Sequence, residues 1–300
     1  MIKKELIDEI ASLYLITHQF RRRIIKSVKG KTVCIKIGGN ALTDITVKQQ
    51  ISHQIAELIK LNIKPVLVHG GGIEIKKLLD EVGVKSEFIG GHRKTDAVSI
   101  RFIEMALSGG VNKELVSLLN GASVKAVGIS GKDANMVIAA KRMHTNNKNG
   151  EDNSTDLGFV GDVEKIDTNL IHFLLKSDFV PVLSPISSGY NGETYNVNAD
   201  MFAGHIAGAL KAEKLVALTN IDGLLEDLEN PASLIHHLTI DEAKDLFGTV
   251  INGGMIPKIE ACFTALNQGV KSAHIINGTK KGTLLRILRT DEPIGTTITP

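Results

Sequence analysis

Cysteine is scarce: only Cys34 and Cys262 occur in 300 residues, far apart and each among apolar neighbours. This excludes a disulfide framework and fits a reducing cytoplasm. Long apolar runs are missing too, and none approaches the ~18 residues of a membrane-spanning helix. The opening MIKKELIDEIASLYLITHQFRRR carries Glu5, Asp8 and Glu9 early. With no clean apolar h-region and no small-residue cleavage site, a secretory signal is not expected. Charge of one sign is absent: the net value is +2, so nothing points to a nucleic-acid partner. Several signatures are also lacking. There is no GxxxxGK[ST] and no GxGxxG, which disfavours a Walker-A site and a dinucleotide fold. No HExxH or CxxC supports a metal site, and no protein metal ligands are expected. GISGK superficially matches G-x-S-x-G, but Lys132 replaces the final glycine, and a serine hydrolase is rejected. No internal repeat is evident.

The apolar content of 43% supports a substantial core, and many of the 29 glycines stand at strand ends. Short apolar runs alternate with helical patterns, the βαβ signature of an α/β chain with a largely parallel sheet. Strands are expected at Thr32–Ile37, at VLVH, at Ala126–Ser130, at FVGDVEKI, at FVPVLSPI, at Lys214–Thr219 and at AHII. Helices are expected around Val47–Lys60, Ile73–Val82, Ala97–Leu107, Asn112–Leu119, Asp167–Leu175, Asn198–Leu210, Ile256–Leu266 and Thr283–Leu288. His144–Asp156 contains no apolar residue and reads as a solvated loop. SSGYNGE, Ser187–Glu193, reads as a turn at a seam between lobes. Ile2, Leu6, Ile10 and Leu13 recur at helical spacing, giving an amphipathic N-terminal helix that either packs on its own domain or serves as an oligomer-forming arm.

A few residues break these patterns in ways that need a chemical reason. Lys36 interrupts the apolar strand VCIKIGG at its C-terminal end, where open α/β sheets bind ligands. A buried ammonium requires an anion, whereas a snorkelling lysine does not. Gly38 and Gly39 follow it, and Gly70, Gly71 and Gly72 follow the next strand. Each run alone fits a tight turn. Two at adjacent strand ends, with a helix N-terminus behind the second, surround one phosphate with N–H groups. Arg93, in the stretch GGHRKTD, is expected in a loop, free to clamp a carboxylate bidentately or simply solvated. In NVNAD, Asn196 is available to a polar substrate group, and Asp200 either caps a helix dipole or holds two lysines. Lys258 stands on the first turns of a helix after Gly253-Gly254.

The ordered set KIGGNAL, LVHGGG, GHRKTD, GISGKD, DLGFVGDV, NVNAD, LTNIDGLL, GGMIPKIEAC and PIGTTI resembles the amino acid kinase family, and within it the N-acetylglutamate kinases, from about Lys31 to Thr299. The resemblance implies a three-layer αβα sandwich. It implies an N-terminal helix over residues 1–24, a lobe at 25–192 for the acylated amino acid and a lobe at 193–300 for ATP. Lys36 and Lys258 match the catalytic lysines, and Asp200 the aspartate that orients them. Gly38, Gly39 and Gly70–Gly72 lie in the phosphate-facing turns. Gly71, Gly72, Arg93 and Asn196 match groups that bind N-acetyl-L-glutamate, and Thr219, Asp222 and Lys258 fall at the nucleotide site. Mg²⁺ is expected with ATP. His274, Gly278 and Glu292 fit an L-arginine effector neighbourhood, and a homodimer or a hexamer of three dimers is implied. The chain departs from the family's usual pattern at Ile73-Glu74 after the glycines, at His92 and Lys94 around Arg93, and at Ala134-Asn135. These changes leave open an N-succinylglutamate kinase, a carrier-linked aminoadipate kinase, or a silent protein that senses arginine or nucleotide.

Overall fold

The computed structural model describes residues 28–148, 151–290 and 292–300. The N-terminal helix expected over residues 1–24 lies outside the described residues.

A single eight-stranded sheet organises the chain. Its strands are β1 (Thr32–Ile37), β2 (Lys64–His69), β5 (Ala126–Ser130), β8 (Val180–Ser184), β11 (Lys214–Thr219), β14 (His237–Thr239), β15 (Ser272–Asn277) and β16 (Thr296–Thr299), in the order β14-β16-β15-β11-β1-β2-β8-β5. Every pairing is parallel except β15 with β16. β1 lies in the middle, hydrogen-bonded to β2 on one side and β11 on the other.

Strand alternation divides the core into two layers. Cys34, Val66, Val68, Leu215 and Ala217 face one apolar cluster with α6 (Ala199–Ala209) and α8 (Ile256–Asn267). Val33, Ile35, Ile37, Leu67, Val216 and Leu218 face the other. Helices α1 (Ile45–Lys60), α4 (Asn112–Gly121) and α9 (Thr283–Arg289) cover that face. The result is the αβα sandwich. Both cysteines are fully buried on the first face, with their thiols pushed up to about 12 by desolvation, and they are not bonded to one another.

Four expectations from sequence need correction. Ala97–Leu107 and Asn112–Leu119 are parts of one continuous helical run: α3 (Ser99–Glu104), a π-helical segment (Met105–Val111) and α4. The two are expected as separate helices, but the backbone stays right-handed at both junctions and widens into π geometry across Gly109 and Gly110. His144–Asp156 is not a solvated loop; the described part is the outer half of a long antiparallel hairpin, β6 (Val137–Lys148) with β7 (Glu151–Ile166). Ladder hydrogen bonds satisfy the backbone whatever the side chains, so polarity carried no warning. FVPVLSPI is split at Pro185: β8 stays in the main sheet and β9 (Ile186–Ser188) joins β6, β7 and β10 (Thr194–Val197) in a small closed barrel. SSGYNGE closes the β9–β10 hairpin. Arg93 is not in a loop either. It lies on β4 (His92–Lys94), paired with β3 (Glu87–Ile89). A minor pair, β12 (Leu224–Leu225) with β13 (Leu234–Ile235), and the helices α2 (Gly72–Glu81), α5 (Asn169–Lys176) and α7 (Ile240–Asp245) complete the fold.

Candidate active site

The site grows out of β1. Lys36 shares its face with Cys34, and the Cys34 thiol contacts the Ala203 carbonyl of α6 at 3.7 Å. One turn before Ala203, Asp200 therefore stands over Lys36. Their ion pair measures 2.7 Å from Nζ to Oδ1, although it lacks the alignment of a hydrogen bond. α6 then crosses α8 at close range. A Cβ on Gly204 would lie 2.5 Å from the Ala261 carbonyl oxygen, so only glycine permits this approach. That crossing brings Lys258, on the first turn of α8, to donate to Asp200 Oδ2 at 2.9 Å. Asn198 caps α6 by accepting from the Asp200 and Met201 N–H groups, which fixes where the helix begins.

Lys36 and Asp200 are buried, and Lys258 is partly buried beside them. Burial alone raises the Asp200 carboxyl, but Lys36 and Lys258 override it and hold the group below the ordinary carboxylate range. Lys36 is lowered, first by desolvation and then by Lys258, with Asp200 opposing. Two ammonium groups against one carboxylate leave an excess positive charge at the strand ends, suited to an anion.

Beside this triad lies a cleft of about 480 Å³ lined by Gly39, Gly70, Gly71, Gly72, Phe88, Arg93, Asn196 and Asp200. Both glycine turns adjoin it or the triad, for different reasons. The Lys36 side chain folds back across Gly38, and a Cβ there would overlap its ammonium. At Gly71 a Cβ would meet Leu107 Cδ2 at 2.6 Å and Val111 Cγ2 at 3.1 Å, so the π-helical segment packs directly on the turn. Gly39 is left-handed with φ 59°, and Gly70 donates to the Ile37 carbonyl at 2.9 Å, tying the two turns together.

Arg93 reaches the cleft but is not free. Its guanidinium donates to Ser86 Oγ and, at 3.1 Å, to the Gly72 carbonyl, and it stacks 4.6 Å from the Phe88 ring centroid. The hairpin holds it as a pre-set fork with donors to spare. Asn196 lies on β10 in the cleft wall. The departures at Ile73, Glu74 and His92 line the same cleft.

On the strand next to β1, one residue past the Ile37–Leu218 pairing, Thr219 closes β11 with its carbonyl accepting from the Gly278 N–H at 2.8 Å. Asp222 accepts from Lys280 at 2.7 Å and Asn277 at 3.0 Å, and the Lys280 hydrogen bond leads the causes that lower its carboxyl. The remaining residues named from sequence are engaged by neighbours within the chain. His274 is buried in β15, with Lys214 at 3.0 Å, Ser272 at 2.9 Å and Thr297 at 2.9 Å, and is lowered well below its ordinary value by burial. Glu292 accepts from the exposed Arg286. Among the described residues, no group of three or more His, Cys, Asp or Glu side chains is placed to hold a metal ion. Sequence reasoning missed Ser86, Phe88 and Asn198. Only Asn198 left a signal, an Asn two residues before the helical Asp200.

Known proteins share this architecture. The amino acid kinase family profile matches residues 31–277. The acetylglutamate kinase of Thermoanaerobacter pseudethanolicus is 42% identical over 292 residues, 97% of this chain and 94% of that one. The acetylglutamate kinase of Heliobacterium modesticaldum is 46% identical over 276 residues, 91% of this chain and 94% of that one. Among solved structures, the N-acetylglutamate synthase of Neisseria gonorrhoeae, complexed with coenzyme A and N-acetyl-glutamate, superposes with a TM-score of 0.80 at 27% identity. That match covers 96% of this chain but 63% of the longer synthase.

Proposed function

This chain belongs to the amino acid kinase family, and on that premise we propose how its residues carry out ATP-dependent phosphorylation of the γ-carboxylate of N-acetyl-L-glutamate, an arginine-biosynthesis step. The observation that carries the assignment of roles is the Lys36–Asp200–Lys258 triad, gathered at the strand ends beside two glycine turns and a cleft.

A glutamate carboxylate titrates near ~4.3 and is already a nucleophile at neutral pH. No general base is required. The barrier is the approach of one anion to another, so catalysis rests on positioning and charge stabilisation. Arg93 and Asn196 anchor the acylated amino acid in the cleft, with the γ-carboxylate toward Gly71 and Gly72. Lys36 neutralises charge on the transferring phosphoryl group, Lys258 serves the leaving side, and Asp200 keeps both ammonium groups in register. N–H groups of the Gly38–Gly39 and Gly70–Gly72 turns hold the group in flight. ATP occupies the lobe of residues 193–300, with Thr219 and Asp222 at its edge, and the lobe of residues 25–192 takes the amino acid. If Mg²⁺ accompanies ATP, phosphate and water oxygens rather than protein ligands would hold most of it, and it would supply neutralisation of phosphate charge. Asp200, already engaged by two lysines, has little capacity left for an ion.

Release of ADP, coupled to NADH oxidation, tests this with N-acetyl-, N-succinyl- and free L-glutamate in parallel. Turnover with the acetyl substrate far above the others is expected. Preference for the succinyl substrate would reassign the acyl pocket, and no turnover with any would leave a sensing protein. L-arginine added to the same assay tests an effector site around His274, Gly278 and Glu292. A homodimer or hexamer, to be measured by light scattering, and a cytoplasmic location complete the proposal. The latter is consistent with two free cysteines and with no helix among the described residues long and apolar enough to cross a membrane.

A further inference from the structure

His69 ends β2 immediately before the second glycine turn, has no exposed surface, and takes no part in the roles above. Its Nδ1 lies 2.7 Å from the Gly70 carbonyl oxygen. A carbonyl only accepts, so Nδ1 carries the proton and Nε2 the lone pair. The buried Asn112, at the start of α4, answers that lone pair. Its Nδ2 donates to His69 Nε2 at 3.1 Å and to the Val182 carbonyl at 2.9 Å. Turning the amide over would set Oδ1 against that carbonyl and forfeit the bond from Lys113 Nζ to Oδ1 at 3.2 Å. The amide orientation and the histidine tautomer are therefore fixed together. Burial brings the ring down to about 4, which keeps it neutral at physiological pH and unsuited to proton transfer.

What this achieves follows from peptide geometry. The Gly70 C=O and the Gly71 N–H belong to one planar trans peptide and point in opposite directions. Pinning the oxygen on His69 aims the Gly71 N–H the other way. The next peptide is set likewise, because the Gly71 carbonyl accepts from the Ile75 N–H at 2.8 Å, which turns the Gly72 N–H outward. The Gly72 carbonyl is held by Arg93 at 3.1 Å. Every carbonyl of the turn is thus engaged. The N–H groups of Gly71 and Gly72, at the N-cap and first position of α2, have no acceptor within the helix, and both residues line the cleft.

We propose that His69 is a positioning residue for phosphoryl transfer: held in the Nδ1–H tautomer by Asn112, it locks the Gly70–Gly71 peptide so that the Gly71 N–H faces the phosphoryl group. This rests on the kinase reading above. Asn112 extends the lock into the helix whose π-helical segment packs on Gly71, so the turn is gripped from its carbonyl side and from behind.

Two substitutions at position 69 separate the halves of the ring. Asparagine places an amide N–H where Nδ1–H stood and keeps the bond to Gly70. Glutamine reaches Asn112 in place of Nε2 and leaves the Gly70 carbonyl free. Full-length His69→Gln should lose about 10²-fold in kcat, the size of losing one oxyanion donor, with KM for N-acetyl-L-glutamate nearly unchanged. His69→Asn should stay within about 5-fold of the unsubstituted kcat even if both variants melt at equally reduced temperatures. Equal kcat in the two variants would overturn the proposal. Should neither fold, the ¹⁵N spectrum of the unsubstituted enzyme decides, with a protonated Nδ1 and bare Nε2 expected at His69; the opposite tautomer overturns it. An enzyme inactive on N-acetyl-L-glutamate that nevertheless shows the Nδ1–H tautomer counts against the kinase reading and leaves the locked turn intact.

Discussion

The two glycine turns sit at neighbouring strand ends and look alike in sequence, yet they are glycine for opposite reasons. Gly38 leaves room for a long side chain, Lys36, that must lie across it to reach Asp200. Gly71 leaves room for a neighbouring helix, through Leu107 and Val111. A methyl group at the first position meets the far end of a flexible lysine, and at the second it meets packed core. The first turn is therefore constrained by chemistry and the second by architecture as well.

The largest expected effect tests the first half of that contrast. Lys36→Ala should lower kcat by about 10³-fold or more while the fold survives. Adding Gly38→Ala to it should cost almost nothing further in steady-state kinetics, because the side chain that excluded the methyl is gone. Gly38→Ala alone comes next, with about a 10²-fold loss in kcat as Lys36 is displaced. Its melting temperature by differential scanning calorimetry should hardly move. Gly71→Ala should instead lose stability, about 1–3 kcal/mol by urea titration, from overpacking against Leu107. Leu107→Ala in that background should cost less than it does alone, whereas fully additive losses would break the comparison.

The smallest effect is a pH dependence of stability just below neutrality, to which the histidine beside the second turn contributes. Folded His69 titrates at about 4, and His274, on β15, is lowered well below its ordinary value, both through burial. In the unfolded chain each titrates near ~6.5. Between those values the unfolded chain binds protons that the folded chain refuses. Stability therefore falls as pH drops below ~6.5, by at most roughly 1.4 kcal/mol per pH unit for each histidine. Urea titrations between about pH 7.5 and about pH 5.5 should show that slope, and His69→Asn should remove its own share.

Much of this was legible in sequence because it depends on local patterns. Lys36, Asp200 and Lys258 each violate a simple expectation for their segment, and three separate stretches converge in the structure. The positions of β1, β2 and β11 were readable as short apolar runs between helical patterns. The illegible parts depend on partners distant in the chain. Nothing around Arg93 announces that Ser86 and the Gly72 carbonyl hold it, or that its segment pairs with Glu87–Ile89. The polar arm around His144 was read as a loop because its backbone ladder leaves no mark on side-chain composition. Two helices were expected where a π-helical segment that packs against Gly71 joins them into one run. His69 stood in plain view beside the glycines, but its meaning lies in Asn112, which no spacing rule connects to it.

The buried cysteines give the molecule an internal clock. Cys34 lies under α6 in the central strand, and Cys262 lies on α8 a turn beyond Lys258. Held as protonated thiols with no exposed surface, both are inert in the closed molecule. A thiol-reactive dye can reach them only when those helices lift from the sheet, so its rate of incorporation times the opening of the layer that carries the triad. The residues least suited to chemistry in this protein thereby become reporters on those that perform it.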